Sequence, residues 1–282
     1  PYPDYNTFMN TTTSSADGNR LVFLKLGGSL ITDKLTPRTP RTQVLNRLAK
    51  EIQAGLDEDP GLKILLGHGS GSFGHTSGSR YRTREGVSTP GEWQGFSEVW
   101  GDAAELNRLV MGALREAGLA AVSFPPSASV LTQQRKVISW DLSPIQSALE
   151  NNLLPVVYGD VVFDISQGGT ILSTEDLFMH LAGSLKPHRI LLAGQDPGVW
   201  QDFPECTRLF KEITPADKEN LKGIVNQSRA TDVTGGMGEK VNQMLDLIRL
   251  MPELEVLIFS GLEAGLLQLA LAGKSPGTRL SG

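Results

Sequence analysis

Three segments of this 282-residue chain combine glycines with lysine, hydroxyl or imidazole side chains, the composition of a site that holds anions. The first is Lys25, Gly27, Gly28 and Ser29, with Lys34 nine residues beyond Lys25. Paired glycines, lacking Cβ atoms, let backbone amides come close to an anion, and Lys25 adds a formal charge beside them. An ordinary tight turn is the competing reading of Gly27 and Gly28. The second segment runs from Gly67 to His75 and sets Gly69, Gly71 and Gly74 at the Gly-x-Gly-x-x-Gly spacing of dinucleotide-binding turns. That fingerprint belongs to a βαβ unit of about 30 residues closed by an acidic group. Here Tyr81, Arg82, Thr83 and Arg84 follow instead, and the next convincing strand begins near Ala120. A phosphate cradle, with His75 placed to donate a hydrogen bond, is the better reading, and His68 reads as structural. The third segment, Asp232 to Lys240, sets Thr234, Gly235 and Gly236 ahead of a helical pattern with Lys240 one turn in. Amides at a helix start make another anion site; a capped helix with a solvated lysine is the plainer alternative.

Other chemistries lack their marks. Gly273, Lys274 and Ser275 come nearest to a Walker loop, but Gln268 stands where its first glycine belongs. Neither a Gly-x-Ser-x-Gly elbow nor a His-Glu-x-x-His helix occurs. Cys206 is the only cysteine, which excludes an intrachain disulfide and a cysteine-built zinc site and favours a reducing cytoplasm. A formal charge of −5 gives no global field for a nucleic-acid backbone, so phosphates must be bound by local clusters. No apolar run reaches the roughly 18 residues of a membrane span. Three anion cradles with several lysines suit phosphoryl transfer between two phosphorylated molecules, which asks for in-line positioning and charge neutralisation rather than a protein nucleophile.

These loops need rigid elements to hold them. Leu21 to Leu26, Lys63 to Leu66, Ala120 to Phe124, Leu154 to Tyr158, Arg189 to Ala193 and Glu255 to Phe259 read as strands, alternating with helical stretches in the manner of an α/β protein with a mainly parallel sheet. Val44, Leu48, Ile52 and Leu56 mark one amphipathic helix, and Val241, Met244, Leu245 and Ile248 another. A longer helix, about Glu92 to Ala117, carries Phe96, Val99, Trp100, Ala103, Leu106, Val110 and Leu114 on its apolar side. Core packing is the plain reading of all three stripes; Phe96, Val99 and Trp100 are also placed to line a small hydrocarbon pocket. Ser173 and Asp176 have Ser-x-x-Asp spacing ahead of Leu177, a helix N-terminus with Asp176 in its first turn. Residues 1–20 are polar, without the apolar stretch of a signal peptide, and are expected to form a disordered tail before a single domain over 21–282.

Taken in order, Lys25 to Ser29 with Lys34, His68 to His75, Gly159 with Asp160, Ser173 with Asp176, and Thr234 to Met237 with Lys240 resemble the amino acid kinase superfamily and, within it, the isopentenyl phosphate kinases. His75 is the telling member, because superfamily enzymes acting on carboxylates generally lack it. The resemblance implies a three-layer αβα sandwich with a mainly parallel open sheet, an N-terminal acceptor lobe over about 21–165 and a C-terminal ATP lobe over about 166–282. It implies ATP and Mg2+ as cofactors, a small isoprenyl phosphate substrate, a homodimer, and neither nucleic-acid nor membrane partners. By position, Lys25 and Lys34 would stabilise the transferring phosphoryl group and Asp176 would orient the lysines. Gly69, Gly71, Ser72, Gly74, His75, Gly159 and Phe96 would serve the acceptor. Lys25, Gly27, Gly28, Ser29, Asp196, Thr234, Gly235, Gly236 and Lys240 would serve the nucleotide. The stretch Ala193 to Trp200 departs from the Thr-Asp-x-x-Gly-Val-Tyr pattern of the superfamily. A phosphonate such as fosfomycin is the alternative acceptor.

Overall fold

The first strand, β1 (Leu21–Leu26), is buried at every residue. Strand alternation sends Leu21 and Phe23 into one core and Val22, Leu24 and Leu26 into another, the pattern of a strand covered on both faces. In this computed structural model, which describes residues 20–218 and 236–282, β1 pairs in parallel with β2 (Lys63–His68) on one side. On its other side it pairs in parallel with the strand Arg189–Gly194. The expected tail, apart from Arg20, lies outside the described residues, as do Thr234 and Gly235.

Numbered in chain order, the remaining strands are β3 (Ala121–Ser123), β4 (Leu131–Gln133), β5 (Lys136–Ser139), β6 (Leu154–Tyr158), β7 (Asp160–Asp164), β8 (Gly168–Leu172), β9 (Arg189–Gly194), β10 (Glu212–Ile213), β11 (Glu255–Ser260) and β12 (Thr278–Leu280). An eight-stranded sheet has the order β10-β12-β11-β9-β1-β2-β6-β3. It is parallel from β11 to β3, and β12 reverses direction at one side. A second sheet, β5-β4-β7-β8, takes two strands from before β6 and two from after it, β7 starting directly beyond Gly159.

Helices cover both faces of the large sheet. On one lie α2 (Thr42–Glu58), α4 (Pro90–Glu116) and a short C-terminal helix, Leu266–Leu271, through Leu48, Ile52, Leu106, Val110, Leu114 and Leu267. On the other lie α5 (Ser143–Glu150), α6 (Thr174–Leu185) and α7 (Met237–Leu250), through Ile145, Leu177, Phe178, Leu181, Val241 and Leu245. The result is the expected αβα sandwich. α4 starts at a capping box in which Thr89 accepts from the Glu92 amide and Glu92 from the Thr89 amide. Two features differ from expectation. Trp100 is 48% exposed rather than part of the apolar stripe. The Gly71–Tyr81 segment, rich in glycine and serine, forms helix α3.

Because β1 has β2 on one side and β9 on the other, the loops leaving β1, β2 and β9 diverge at the carboxyl ends of the strands. That topological switch point is where open α/β sheets hold ligands.

Candidate active site

The turns after β1 and β2 touch backbone to backbone. A Cβ on Gly28 would stand 2.5 Å from the Gly71 amide nitrogen, and Gly71 itself has φ +51°. No side chain fits at Gly28, and Gly71 adopts a conformation that suits glycine. The two glycine segments therefore form one continuous floor, with the four-residue helix α1 (Gly28–Ile31) leaving one side and α3 the other. Gly67 plays a separate packing role: a Cβ there would lie 2.4 Å from Thr174 Cγ2, so its absence lets the start of α6 lie against β2.

One backbone oxygen joins two further segments to this floor. The His68 carbonyl at the end of β2 accepts from the Gly159 amide at 3.0 Å and from the Thr174 hydroxyl at 2.7 Å. The His68 imidazole is fully buried, stacked on Tyr158, with Nε2 3.2 Å from Asn107 Oδ1. Burial lowers its pKa, which suits the structural reading of this residue.

Above the floor is a cavity lined by Lys25, Lys34, His75 and Lys240. Gly27, Gly28, Ser29, Gly69, Gly71 and Gly159 supply backbone wall, and Gly194, Gln195 and Asp196 close the β9 side. Ile171, Leu192, Met237 and Ile258 make it partly apolar. Gln195 ties two walls together, its Nε2 donating to the Ser29 carbonyl at 2.7 Å.

Lys25 and Glu175 form an ion pair with both side chains almost wholly out of water. Burial by itself pushes the Glu175 carboxyl up, but Lys25, and then Lys240, outweigh it and hold it below the ordinary carboxylate range. The second oxygen, Oε1, is buried with no hydrogen-bond partner among the described residues. An anion entering here meets Lys25 already held by a carboxylate.

Asp176 was the residue expected to orient the lysines, but the carboxylate paired with Lys25 belongs to Glu175. Asp176 is the third residue of α6 and completes a capping box: its Oδ2 accepts from the Ser173 amide at 2.9 Å, while its own amide donates to Ser173 Oγ at 3.1 Å. A carboxylate so used is turned back toward the helix start, and Gln243 Nε2 donates to its other oxygen at 3.2 Å. The residue before it lies about 100° around the helix and faces the strand ends.

Three more expected residues stand behind the cavity wall rather than on it. The Ser72 amide donates to Thr32 Oγ1 at 2.9 Å, and its hydroxyl accepts from the Thr39 amide at 3.3 Å, so it supports the loop bearing Lys34. Gly74 makes room for Ser70, whose Cβ would be 2.7 Å from a Cβ at this position. Phe96 packs with Val87, Val99 and Val161, against which the wall residue Ile171 also rests. Gly236 caps the start of α7. Beyond the expected residues, the structure adds Glu175, Gln195 and Ile171 to the site.

A sequence pattern for the amino acid kinase family matches residues 20–260. The chain belongs to the amino acid kinase family. Among its relatives in that family, an isopentenyl phosphate kinase of Methanocaldococcus jannaschii is 34% identical over 269 residues, covering 92% of this chain and 98% of the relative. An isopentenyl phosphate kinase of Methanothermobacter thermautotrophicus is 34% identical over 275 residues, covering 93% and 99%. A solved isopentenyl phosphate kinase structure superposes with a TM-score of 0.76 at 28% identity, covering 93% of this chain and 100% of that one.

Proposed function

We propose that this kinase transfers the γ-phosphoryl group of ATP to isopentenyl phosphate, yielding isopentenyl diphosphate and ADP for isoprenoid biosynthesis. The observation that carries the proposal is the convergence of Lys25, Lys34, His75 and Lys240 on one glycine-floored cavity whose Ile171 wall continues into the apolar cluster around Phe96. The names of its relatives point the same way. A phosphate oxygen of the acceptor forms the new P–O bond as the bond between the γ-phosphorus and the β–γ bridging oxygen breaks. The acceptor is already anionic, so no protein base is required; the chain's part is to hold two anions in line.

In this reading the lobe over about 21–165 holds the acceptor, with His75 and the amides of Gly69, Gly71 and Gly159 on its phosphate, and Ile171 from the other lobe lies against its hydrocarbon. Ser72, Gly74 and Phe96 support that wall. The lobe over about 166–282 holds ATP through Asp196, Gly236 and Lys240, and Gly27, Gly28 and Ser29 reach the nucleotide from the first lobe. Lys25 and Lys34 neutralise the transferring group, and Glu175 orients Lys25. Mg2+ would travel on the ATP phosphates rather than in a carboxylate cage: among the described residues no three His, Cys, Asp or Glu side chains are grouped to hold a metal ion. When bound, the ion adds charge neutralisation at the phosphates. A cytoplasmic homodimer belongs to the same proposal, as does a place in the mevalonate pathway.

Purified protein incubated with MgATP and isopentenyl phosphate is expected to release isopentenyl diphosphate. Absence of that product from folded protein, beside an active control enzyme, would overturn the reading, and faster turnover of fosfomycin would move it to the phosphonate. His75→Ala is expected to lower turnover far more than ATP affinity; the reverse would mean that the acceptor and nucleotide ends are exchanged.

A further inference from the structure

Lys34 reaches the cavity from a loop, not from a strand or helix. The loop departs after Thr32 and returns at Pro40, the two joined by an isolated bridge, and its tip at Leu35 is 94% exposed. Within the loop, the Asp33 amide donates to the Thr39 carbonyl at 2.8 Å and the Asp33 carboxylate accepts from the Leu35 amide at 3.0 Å, while the one backbone bond of Arg38 runs outward, its amide donating to the Ser72 carbonyl at 3.2 Å.

The outer limb is held differently. Arg38 has φ 53°, a conformation that costs a residue with a Cβ and persists where surroundings impose it. The side chain supplies a reason. Arg38 Nη1 donates to Asp102 Oδ1 at 2.7 Å, and Nη2 pairs with Glu105, both on α4. Asp102 is a buried carboxylate whose second oxygen accepts from Ser77 Oγ, also at 2.7 Å. Ser77 lies on α3, two residues beyond His75. One carboxylate outside the cavity thus holds the loop carrying Lys34 and the helix carrying His75.

We propose that Asp102 is a positioning residue for phosphoryl transfer, setting Lys34 through Arg38 and His75 through Ser77. The inference rests on the kinase reading above for its activity assay but not for its structural one. Losing the Arg38 arm leaves the loop attached at its base while its limb moves, and small misplacement of a group that neutralises transferring charge is enough to slow the reaction.

The test is a double-mutant cycle on turnover of isopentenyl phosphate. Arg38→Gln is expected to lower kcat about tenfold while the KM for ATP stays within about twofold. In a Lys34→Ala background the same substitution should change kcat by less than about twofold, because Arg38 would act only through Lys34. Ser77→Ala should behave likewise against His75→Ala, and Arg38→Lys should recover part of the lost rate. An undiminished Arg38→Gln effect in the Lys34→Ala background, or an equal change in the KM for ATP, would overturn the proposal. Amide hydrogen exchange over residues 32–41 reads the anchor without turnover. It is expected to quicken about tenfold or more in Arg38→Gln and Asp102→Asn, and unchanged exchange would refute the anchor whatever the acceptor proves to be. If Asp102→Asn fails to fold, the exposed Arg38 carries both measurements. Failure of unaltered protein to convert isopentenyl phosphate would count against the functional reading alone.

Discussion

Lys25 and Lys34 arrive at the same cavity by opposite routes. Lys25 is part of β1, its position set by register against Gly67 on one side and Leu192 on the other, and its charge answered by buried Glu175. Lys34 sits on an exposed excursion whose outer limb is held by side chains from α4. The contrast teaches that a cation rooted in the sheet is tied to stability as well as to chemistry, whereas one carried on a loop is tied to chemistry alone.

The sharpest way to break this contrast is Lys25→Ala. Removing one member of a buried ion pair strands the other, so the substitution is expected to cost about 3 to 5 kcal/mol of stability along with activity. Urea unfolding read beside turnover checks both; a Lys25→Ala protein as stable as the parent would dissolve the distinction.

Next comes Glu175→Gln, which keeps a hydrogen-bonding group but removes charge and is expected to cost about 2 kcal/mol at neutral pH. Glu175 titrates below its ordinary 4.5 in the folded chain. Its stabilisation is therefore fully present above that value and is lost as pH falls through the lower folded one. Unfolding followed from pH 7 to acid should show a shallower decline for Glu175→Gln than for the parent; parallel curves would deny the linkage.

Asp176→Ala should remove a cap worth about 1 kcal/mol. With Lys25 and Glu175 still paired, turnover should fall less than in Glu175→Ala. A larger fall for Asp176→Ala, measured under the same conditions, would return the orienting role to Asp176.

Lys34→Ala completes the series with the smallest effect on unfolding. Its midpoint should match the parent while kcat falls about 100-fold, the scale of losing one preorganised charge-stabilising donor. A large shift in the unfolding midpoint would show that the loop is part of the core after all.

The central parallel strands were legible because burial on both faces demands nearly continuous apolar runs such as Leu21 to Leu26, which only Lys25 interrupts and Gly27 ends. The small sheet was not: β4 spans Leu131–Gln133 only, and Phe163 of β7 is exposed, so neither an apolar run nor clean alternation marks it. α3 escaped because Gly71, Ser72, Gly74 and Gly78 are poor helix formers. Tertiary contacts prevail there, with Thr32 Oγ1 accepting from the Ser72 amide. In the site, the glycine segments announced themselves, and Lys25, Lys34, His75 and Lys240 do share one cavity. Glu175 was missed although a signal was present. Once Ser173 and Asp176 are read as a capping box, the Asp176 carboxylate is engaged, and the acid beside it is the one left to meet a lysine. The Arg38 to Asp102 contact had no such signal, because it joins residues 64 apart through a fold that pattern alone does not specify.

The His68 carbonyl, shared by Gly159 and Thr174, also orders events in time. Thr174 lies 106 residues further along the chain, and the cavity wall continues to Ile258. During synthesis, a nascent chain that has not yet grown past Ile258 lacks part of the cavity wall. Loop closure over such separations is slow compared with local structure. The binding site is thus completed late in synthesis, and a chain arrested before Ile258 would carry its first glycine turns without the wall that closes over them.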